Sequence, residues 1–142
     1  MSVDAGIYLN LICYRGPVAI LDALLASKWS RHEEGWSCVP LGEDPSERIL
    51  LDSDDIKSVR SLFVEKIARA EVFGITLWWD SGEVGGDFLV LPNSHVIFSP
   101  TLNRLTLGAR ATDVSWYVSR ILPLFRCEDG VVVESWEWRE TA

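Results

Sequence analysis

Hydrophobic residues recur along much of the chain with the two-residue period that is typical of β-strands. Residues 7–14 form an apolar run rich in β-branched and aromatic side chains. Residues 72–79 form a predicted strand that places Phe73, Ile75, Leu77 and Trp79 on one face. The same criteria predict further strands at residues 35–41, 49–51, 88–91, 95–99, 104–107 and 131–138.

Other segments follow the helical period, with apolar residues three and four positions apart. A first helix is predicted at residues 17–28. A second runs to residue 70, with Asp52 or Ser53 supplying its N-cap. Thr112 is the predicted cap of a third helix near the end of the chain.

The order of these segments predicts the fold class. Consecutive strands in the middle of the chain are joined by short turns, which requires antiparallel pairing. We therefore expect an α+β fold, with a mainly antiparallel sheet and about three helices packed on one of its faces. No linker divides the 142 residues, so we expect one globular domain over residues 1–142.

The charge of the chain favours basic partners. The formal net charge is -8, and most carboxylates fall in the segments 43–55, 80–87 and 128–140. Direct binding to nucleic acid is not expected, because that affinity comes from clustered Lys and Arg. A cationic groove on another protein would be attracted by the same field.

The cysteines and the N-terminus suggest a location. Cys13, Cys38 and Cys127 are widely spaced, which is typical of free thiols in a reducing compartment and not of a zinc site. The apolar run at residues 7–14 lacks the flanks of a signal peptide and is too short to span a bilayer. We expect a cytoplasmic protein, monomeric or homodimeric, that needs no cofactor or metal and does not bind a membrane.

No catalytic motif is present. The chain contains no G-x-S-x-G, no H-E-x-x-H and no phosphate-binding glycine loop, and its histidines are His32 and His95. A Cys–His pair assembled by the fold is the remaining route to acyl transfer. We therefore expect a non-enzymatic protein, with no residue assigned a catalytic role.

The glycine-rich loop at residues 80–87 has several possible interpretations. Its acids, Asp80, Glu83 and Asp87, are of the type that binds hard cations or serves in a hydrolase, although the spacing does not match an EF-hand. The simplest interpretation is a hairpin loop whose glycines permit positive φ and whose acids are solvated. A third possibility is an acidic loop that inserts into a basic cleft.

Seven tryptophans occur in the chain, several of them beside carboxylates. Trp78 and Trp79 should point to opposite faces of their strand, so that one is in the core and the other is a candidate interface anchor. In the last strand, strict alternation places Val132, Glu134, Trp136 and Trp138 on one face.

A small, acidic, tryptophan-rich α+β chain of this kind resembles the immunity proteins of bacterial toxin systems, including contact-dependent and type VI effector systems. The resemblance implies a protein that binds a cognate toxin and occludes its active site. Nuclease toxins carry basic clefts, which an acidic surface with a few aromatic anchors would fill. The residues expected to contact the toxin form two patches: Trp79, Asp80, Glu83 and Asp87, and Glu134, Trp136, Glu137 and Trp138.

Two other functions are compatible with the sequence. A curved sheet under helices can enclose a small-molecule pocket, for which the candidate lining residues are Tyr8, Tyr14, Trp36 and Trp116. Alternatively, the protein is an adaptor or assembly subunit that pairs an edge strand with a copy of itself.

Overall fold

The computed structural model describes residues 4–52, 54–108 and 110–141. Its helices are α1 (Val18–Leu25), α2 (Ile56–Ala68) and α3 (Val114–Ile121). No helix in these described ranges has the length and apolar character needed to cross a membrane. The strands are β1 (Asp4–Cys13), β2 (Trp29–Ser30), β3 (Trp36–Cys38), β4 (Ile49–Leu51), β5 (Phe73–Trp79), β6 (Gly85–Val90), β7 (His95–Leu102), β8 (Thr106–Leu107), β9 (Ala111–Thr112) and β10 (Val131–Thr141).

One antiparallel sheet organises the fold. Its strand order is β10-β1-β7-β6-β5-β3-β4, and β2 pairs with β5 beside this path. The predicted antiparallel sheet is therefore confirmed, including the meander β5-β6-β7 in the middle of the chain. The segment at residues 104–107 was predicted as another strand of this sheet, but β8 pairs only with β9, in a separate hairpin.

The core lies between one face of the sheet and the helices. Alternate residues of β5, Phe73, Ile75 and Leu77, are fully buried there, as the two-residue period predicted. Phe63 of α2 packs edge-on against Phe73 at 5.0 Å between ring centroids. The predicted α+β class with helices on one face is confirmed.

The cap of α2 differs from the prediction. Asp55 is the N-cap, and its side chain accepts hydrogen bonds from the backbone N–H and the hydroxyl of Ser58. Asp52 instead accepts the N–H of Asp54 at 3.0 Å and forms a turn before the helix. Ser53, the other predicted cap, lies outside the described residues.

The cap of α3 is also shifted by one residue. Asp113 accepts the N–H of Trp116 at 3.2 Å, whereas the predicted cap Thr112 belongs to β9. An aspartate satisfies an exposed helical N–H at least as well as a threonine. Sequence alone did not decide between the two neighbours.

β7 continues past the predicted turn at Pro100 and ends at Leu102. Proline is tolerated there because β7 has an extra residue between Ser99, which pairs with Asp87, and Leu102, which pairs with Gly85. The ladder is interrupted at this bulge, so the missing N–H of Pro100 removes no regular pair.

A second bulge corrects the predicted faces of β10. The register with β1 shifts between Asn10 and Leu11, leaving Glu134 without a partner in the ladder. Trp136 then pairs with Leu9 and Trp138 with Ile7, and both of these partners are buried. The tryptophans therefore lie on the helix-covered face, and Glu134 does not continue their alternation.

Candidate functional site

A surface groove of about 980 Å³ lies where β2 pairs with the end of β5. It joins residues 33–36 and 78–83, two segments in which tryptophan and carboxylate residues are close together in the sequence. We refer to it as the tryptophan groove. Its lining residues are Leu25, Ser27, Trp29, Ser30, Arg31, His32, Glu33, Trp36, Trp78, Ser81, Gly82, Glu83 and Asn103.

The indole of Trp78 is the partly exposed ring of the groove. Alternation along β5 directs Trp79 towards the core, where it packs edge-on against Trp29 at 5.2 Å, and Trp78 to the opposite face. The imidazole of His32 lies 5.4 Å from the Trp78 ring, measured between centroids. Trp36 completes the wall and is itself buried. The groove therefore offers an ordered aromatic surface.

The hairpin turn beside Trp78 has an unusual backbone. The N–H of Gly82 donates to the carbonyl of Trp79 at 2.9 Å, and the two central residues, Asp80 and Ser81, have φ values of 51° and 58°. The prediction that the glycines of this loop supply the positive φ is wrong. Left-handed conformations cost an ordinary residue about 1–2 kcal/mol, so this turn is held under strain.

Hydrogen bonds from neighbouring segments fix the loop. The N–H of Asp80 donates to the carbonyl of Lys28 at 2.7 Å. The N–H of Ser81 donates to Oγ of Ser30 at 3.1 Å. Nδ2 of Asn103 donates to the carbonyl of Glu83 at 2.9 Å. Contacts from both sides of the groove thus hold the acidic loop in one conformation.

The carboxylates around the groove are not neutralised within the protein. Glu33 and Glu83 line the groove, and Glu34 and Asp80 adjoin lining residues in the sequence. All four are exposed, and in the described parts of the chain none lies within ion-pair distance of a cation. Arg31 also lines the groove, but its guanidinium donates to the carbonyl of His32 at 2.9 Å. The rim is therefore net negative and open to a cationic partner.

Asp87 lies apart from the other predicted acids of its loop. It belongs to β6, and its carboxylate accepts a 2.6 Å hydrogen bond from the hydroxyl of Thr76 and a 3.3 Å bond from Thr101. Arg48 forms an ion pair with it at 3.3 Å. These contacts fasten the segment before β4 to the outer face of the sheet, so the Asp87 charge is already compensated.

The second predicted patch lies at the edge strand β10. Trp138 stacks on Tyr117 of α3 at 5.9 Å between centroids, and its Nε1 donates to Glu140. Glu137 pairs with Arg139, whereas Trp136 is 44% exposed. Because β1, β7 and β6 separate β10 from β5, roughly 19 Å divides the two patches across the sheet. The two predicted patches therefore do not share one surface.

The residues predicted to line a small-molecule pocket do not converge. Trp36 lines the tryptophan groove, and Tyr8 lines a shallow groove on the outer face of the sheet. Tyr14 is largely exposed. Trp116 packs between Tyr117 and Trp79.

Cys38 is buried and both histidines make local hydrogen bonds, whereas the Cys127 thiol is exposed. Burial raises the pKa of the Cys38 thiol to about 12, so this thiol stays protonated at neutral pH. Nδ1 of His32 accepts the N–H of Glu34 at 3.2 Å, and His95 contacts Asn93. Within residues 4–52, 54–108 and 110–141, no group of three or more His, Cys, Asp or Glu side chains is arranged to hold a metal ion.

Sequence reasoning missed several residues of the groove. Ser30, His32 and Asn103 come from short or irregular segments that have no hydrophobic period. The run Trp29–Ser30 is only two residues long, and it pairs with β5 through Trp79 and Trp78. The one available signal was the pair Glu33-Glu34 just before Trp36.

Comparison with protein-family models, with curated proteins and with solved structures gives no match for this chain.

Proposed function

We propose that this chain is a non-enzymatic binding protein, an immunity protein that neutralises a cognate bacterial toxin in the cytoplasm. The tryptophan groove and its acidic rim would occupy the basic active-site cleft of the toxin. The observation that supports this best is a set of exposed carboxylates that form no ion pair within the described residues: Glu33 and Glu83, which line the groove with the partly exposed indole of Trp78, and the adjoining Glu34 and Asp80.

Charge supports binding to a cationic surface. The negative charge of Asp87 is compensated by its salt bridge with Arg48. The groove acids form no salt bridge within the described residues, so their negative potential extends into the solvent. Complementary charge raises the association rate and disfavours anionic competitors such as nucleic acid. An inhibitor that must reach a nuclease-like cleft before the substrate does benefits from both effects.

Preorganisation supports tight binding. The loop that carries Asp80 and Glu83 donates hydrogen bonds to Lys28 and Ser30 and accepts one from Asn103. A surface that is already ordered loses less conformational entropy on association. The strained backbone at Asp80 and Ser81 also supports a binding role for this loop, because strained backbone is found disproportionately at binding sites.

Trp78 is the expected anchor of the interface. Its ring is partly exposed and is positioned by His32, while Trp79 supports the strand from the core side. Indole rings at the centre of an interface commonly contribute most of its binding energy. Among the residues predicted from sequence, Asp80 and Glu83 remain in this patch, and Trp78 takes the place of Trp79.

A pull-down from the native host tests the proposal. The tagged chain is the bait, the column is washed at low and then high salt, and retained proteins are identified by mass spectrometry. We expect a basic toxin-like domain at near-stoichiometric yield, whose toxicity is suppressed when the two proteins are coexpressed. Retention of no protein, or of a small molecule alone, would overturn the proposal.

Variants then test whether the groove is the contact surface. Trp78→Ala, and Glu33→Gln combined with Glu83→Gln, should each weaken toxin binding at least about tenfold. Glu43→Gln combined with Glu47→Gln removes the same charge from exposed positions outside the groove, and should change affinity by less than about twofold. Equal losses from the two double variants would show that the groove is not the interface.

A further inference from the structure

The edge strand β10 is unusually long and open. It is eleven residues long, lies at the end of the sheet and, among the described strands, forms a ladder only with β1. Side chains 134–137 and 139–141 are exposed. An unpaired strand edge is a template for another strand, and proteins normally shorten it, cover it or interrupt it with proline. A bulge and charged side chains also protect an edge, and β10 has the bulge at Glu134 and charges at Glu137 and Arg139; after the bulge, however, it has no proline, and no other described strand pairs with its outer edge.

We propose that β10 pairs antiparallel with β10 of a second copy of this chain, about a two-fold axis at Trp138. This interface is independent of the proposed toxin-binding groove. Such an axis stands perpendicular to the sheet and leaves the helices of both copies on the same face. Paired residues must then share a face, which restricts the register to a few choices.

The register centred on Trp138 is self-complementary. It places Glu137 opposite Arg139 of the second copy, and Arg139 opposite Glu137 of the second copy. Ser135 then faces Thr141 of the second copy, and the exposed Trp136 is covered beside Glu140 of the second copy. Opposite charges and hydroxyl pairs directly across an antiparallel ladder are favourable.

Neighbouring registers are less favourable. An axis at Glu137 would set that carboxylate against its own copy, and an axis at Arg139 would set two guanidinium groups together. Like charges directly opposite each other destabilise a strand pair. An axis at Trp136 would extend the ladder into the bulge at Glu134, where regular pairing is lost.

The side chains involved are already ordered in the single chain. Nε of Arg139 donates to Glu137 at 2.7 Å, and its guanidinium lies 4.2 Å from the centre of the Tyr8 ring. Trp138 is fixed by Tyr117 and by Glu140. Pairing would therefore immobilise few additional rotamers.

Charge-reversal variants test both the dimer and its register. The wild-type protein should sediment as a dimer in analytical ultracentrifugation. Glu137→Arg and Arg139→Glu should each be monomeric, because each brings like charges together across the axis. An equimolar mixture of the two variants should form a heterodimer, since every cross-strand pair is then again of opposite sign. The double variant E137R/R139E should also dimerise.

A matched control uses the exposed Glu65–Arg69 ion pair of α2, whose exposure resembles that of Glu137 and Arg139. Glu65→Arg should remain dimeric. Circular dichroism establishes that each variant is folded. A monomeric wild-type protein at all concentrations, or a dimer that survives both single reversals, would overturn the inference. Either result would leave the proposal of toxin binding through the groove unchanged.

Discussion

Nζ of Lys66, which is fully buried, lies 3.3 Å from Oε1 of Glu71 and 2.8 Å from the carbonyl oxygen of Pro40. The same Glu71 oxygen accepts the N–H of Gly42 at 2.7 Å. The end of α2, the start of β5 and the turn after β3 are thus joined around one ammonium group. A buried charge of this kind is tolerated only while its partners remain in place.

Replacing the two members of this ion pair should have unequal effects on stability. Glu71→Ala leaves the Lys66 ammonium buried without a carboxylate, which is strongly unfavourable. Lys66→Met fills the same space with an apolar side chain and leaves the partly exposed Glu71 to water, at a cost of about 1–2 kcal/mol for the lost Pro40 contact. In urea unfolding, Glu71→Ala should therefore have a lower free energy of unfolding than Lys66→Met, and the reverse order would contradict this account.

Glu71 should also contribute to the acid limb of the stability curve. The N–H of Gly42, assisted by Lys66, holds the pKa of this carboxyl below its ordinary value of 4.5. A carboxyl with a depressed folded-state pKa stabilises the fold above its unfolded-state pKa, and this contribution is lost as pH falls through the folded-state value. Glu71→Gln should flatten the loss of stability below about pH 4.5, as measured by urea unfolding at several pH values.

Relieving the strain in the turn at Asp80 and Ser81 should raise the stability of the protein and weaken its binding to the toxin. Asp80→Asn together with Ser81→Gly introduces the Asn-Gly pair that turns with two positive φ values prefer. We expect unfolding free energy to rise by about 1 kcal/mol, because the glycine removes the left-handed penalty. Loss of the Asp80 charge should weaken toxin binding at the same time. A variant that is less stable than the wild type would show that the turn is not strained.

The elements with a clear hydrophobic period were predicted well. The helix-facing residues of β5 and one face of α2 are buried, and their periods of two and 3.6 residues survive in the sequence, although Gly74 and Thr76 on the other face of β5 are buried as well. The prediction of which residues share a strand face is wrong where the β-ladder contains a bulge. The bulge at Glu134 adds one residue, and this reverses the face expected for Trp136 and Trp138 relative to Val131 and Val133. Nothing in the local sequence marks that extra residue.

The candidate site was only partly predictable for a related reason. Asp80, Glu83 and Asp87 are close in sequence, but Asp87 lies in β6 and is neutralised by Arg48 from a distant segment. The tryptophan groove depends on β2, a two-residue strand whose pairing with β5 brings Ser30 beside Ser81. A two-residue strand is too short to show a hydrophobic period in the sequence, so its pairing with a distant strand could not be predicted.

Close backbone approach at the start of β6 makes another prediction. A Cβ atom at Gly86 would collide with the carbonyl oxygen of Ser99 and with the ring of Phe98, both in the neighbouring strand β7. Gly86→Ala should therefore destabilise the protein by about 1–3 kcal/mol, as other overpacked sites do. Gly82→Ala is the control, since its nearest neighbour, the carbonyl of Trp79, is farther away at 3.1 Å. Equal unfolding midpoints for the two variants would exclude this packing.

Alternation along β5 assigns opposite roles to its last two residues. Trp79 packs edge-on against Trp29 and lies beneath the guanidinium of Arg120, 5.4 Å from the ring centre. Trp78 faces the groove and contacts His32. Trp79→Ala should therefore cost about 3 kcal/mol of unfolding free energy, and Trp78→Ala about 1 kcal/mol or less.

The same two variants should rank in the opposite order when affinity is measured relative to the folded fraction. Trp78→Ala removes the expected anchor of the interface, whereas Trp79→Ala acts on binding only through the stability of the strand. Guanidinium unfolding gives the first ranking, and titration calorimetry with the captured toxin domain gives the second. If Trp79→Ala weakened binding more than Trp78→Ala in fully folded samples, the contact surface would lie on the helix-covered face, because Trp79 belongs to that face and Trp78 does not.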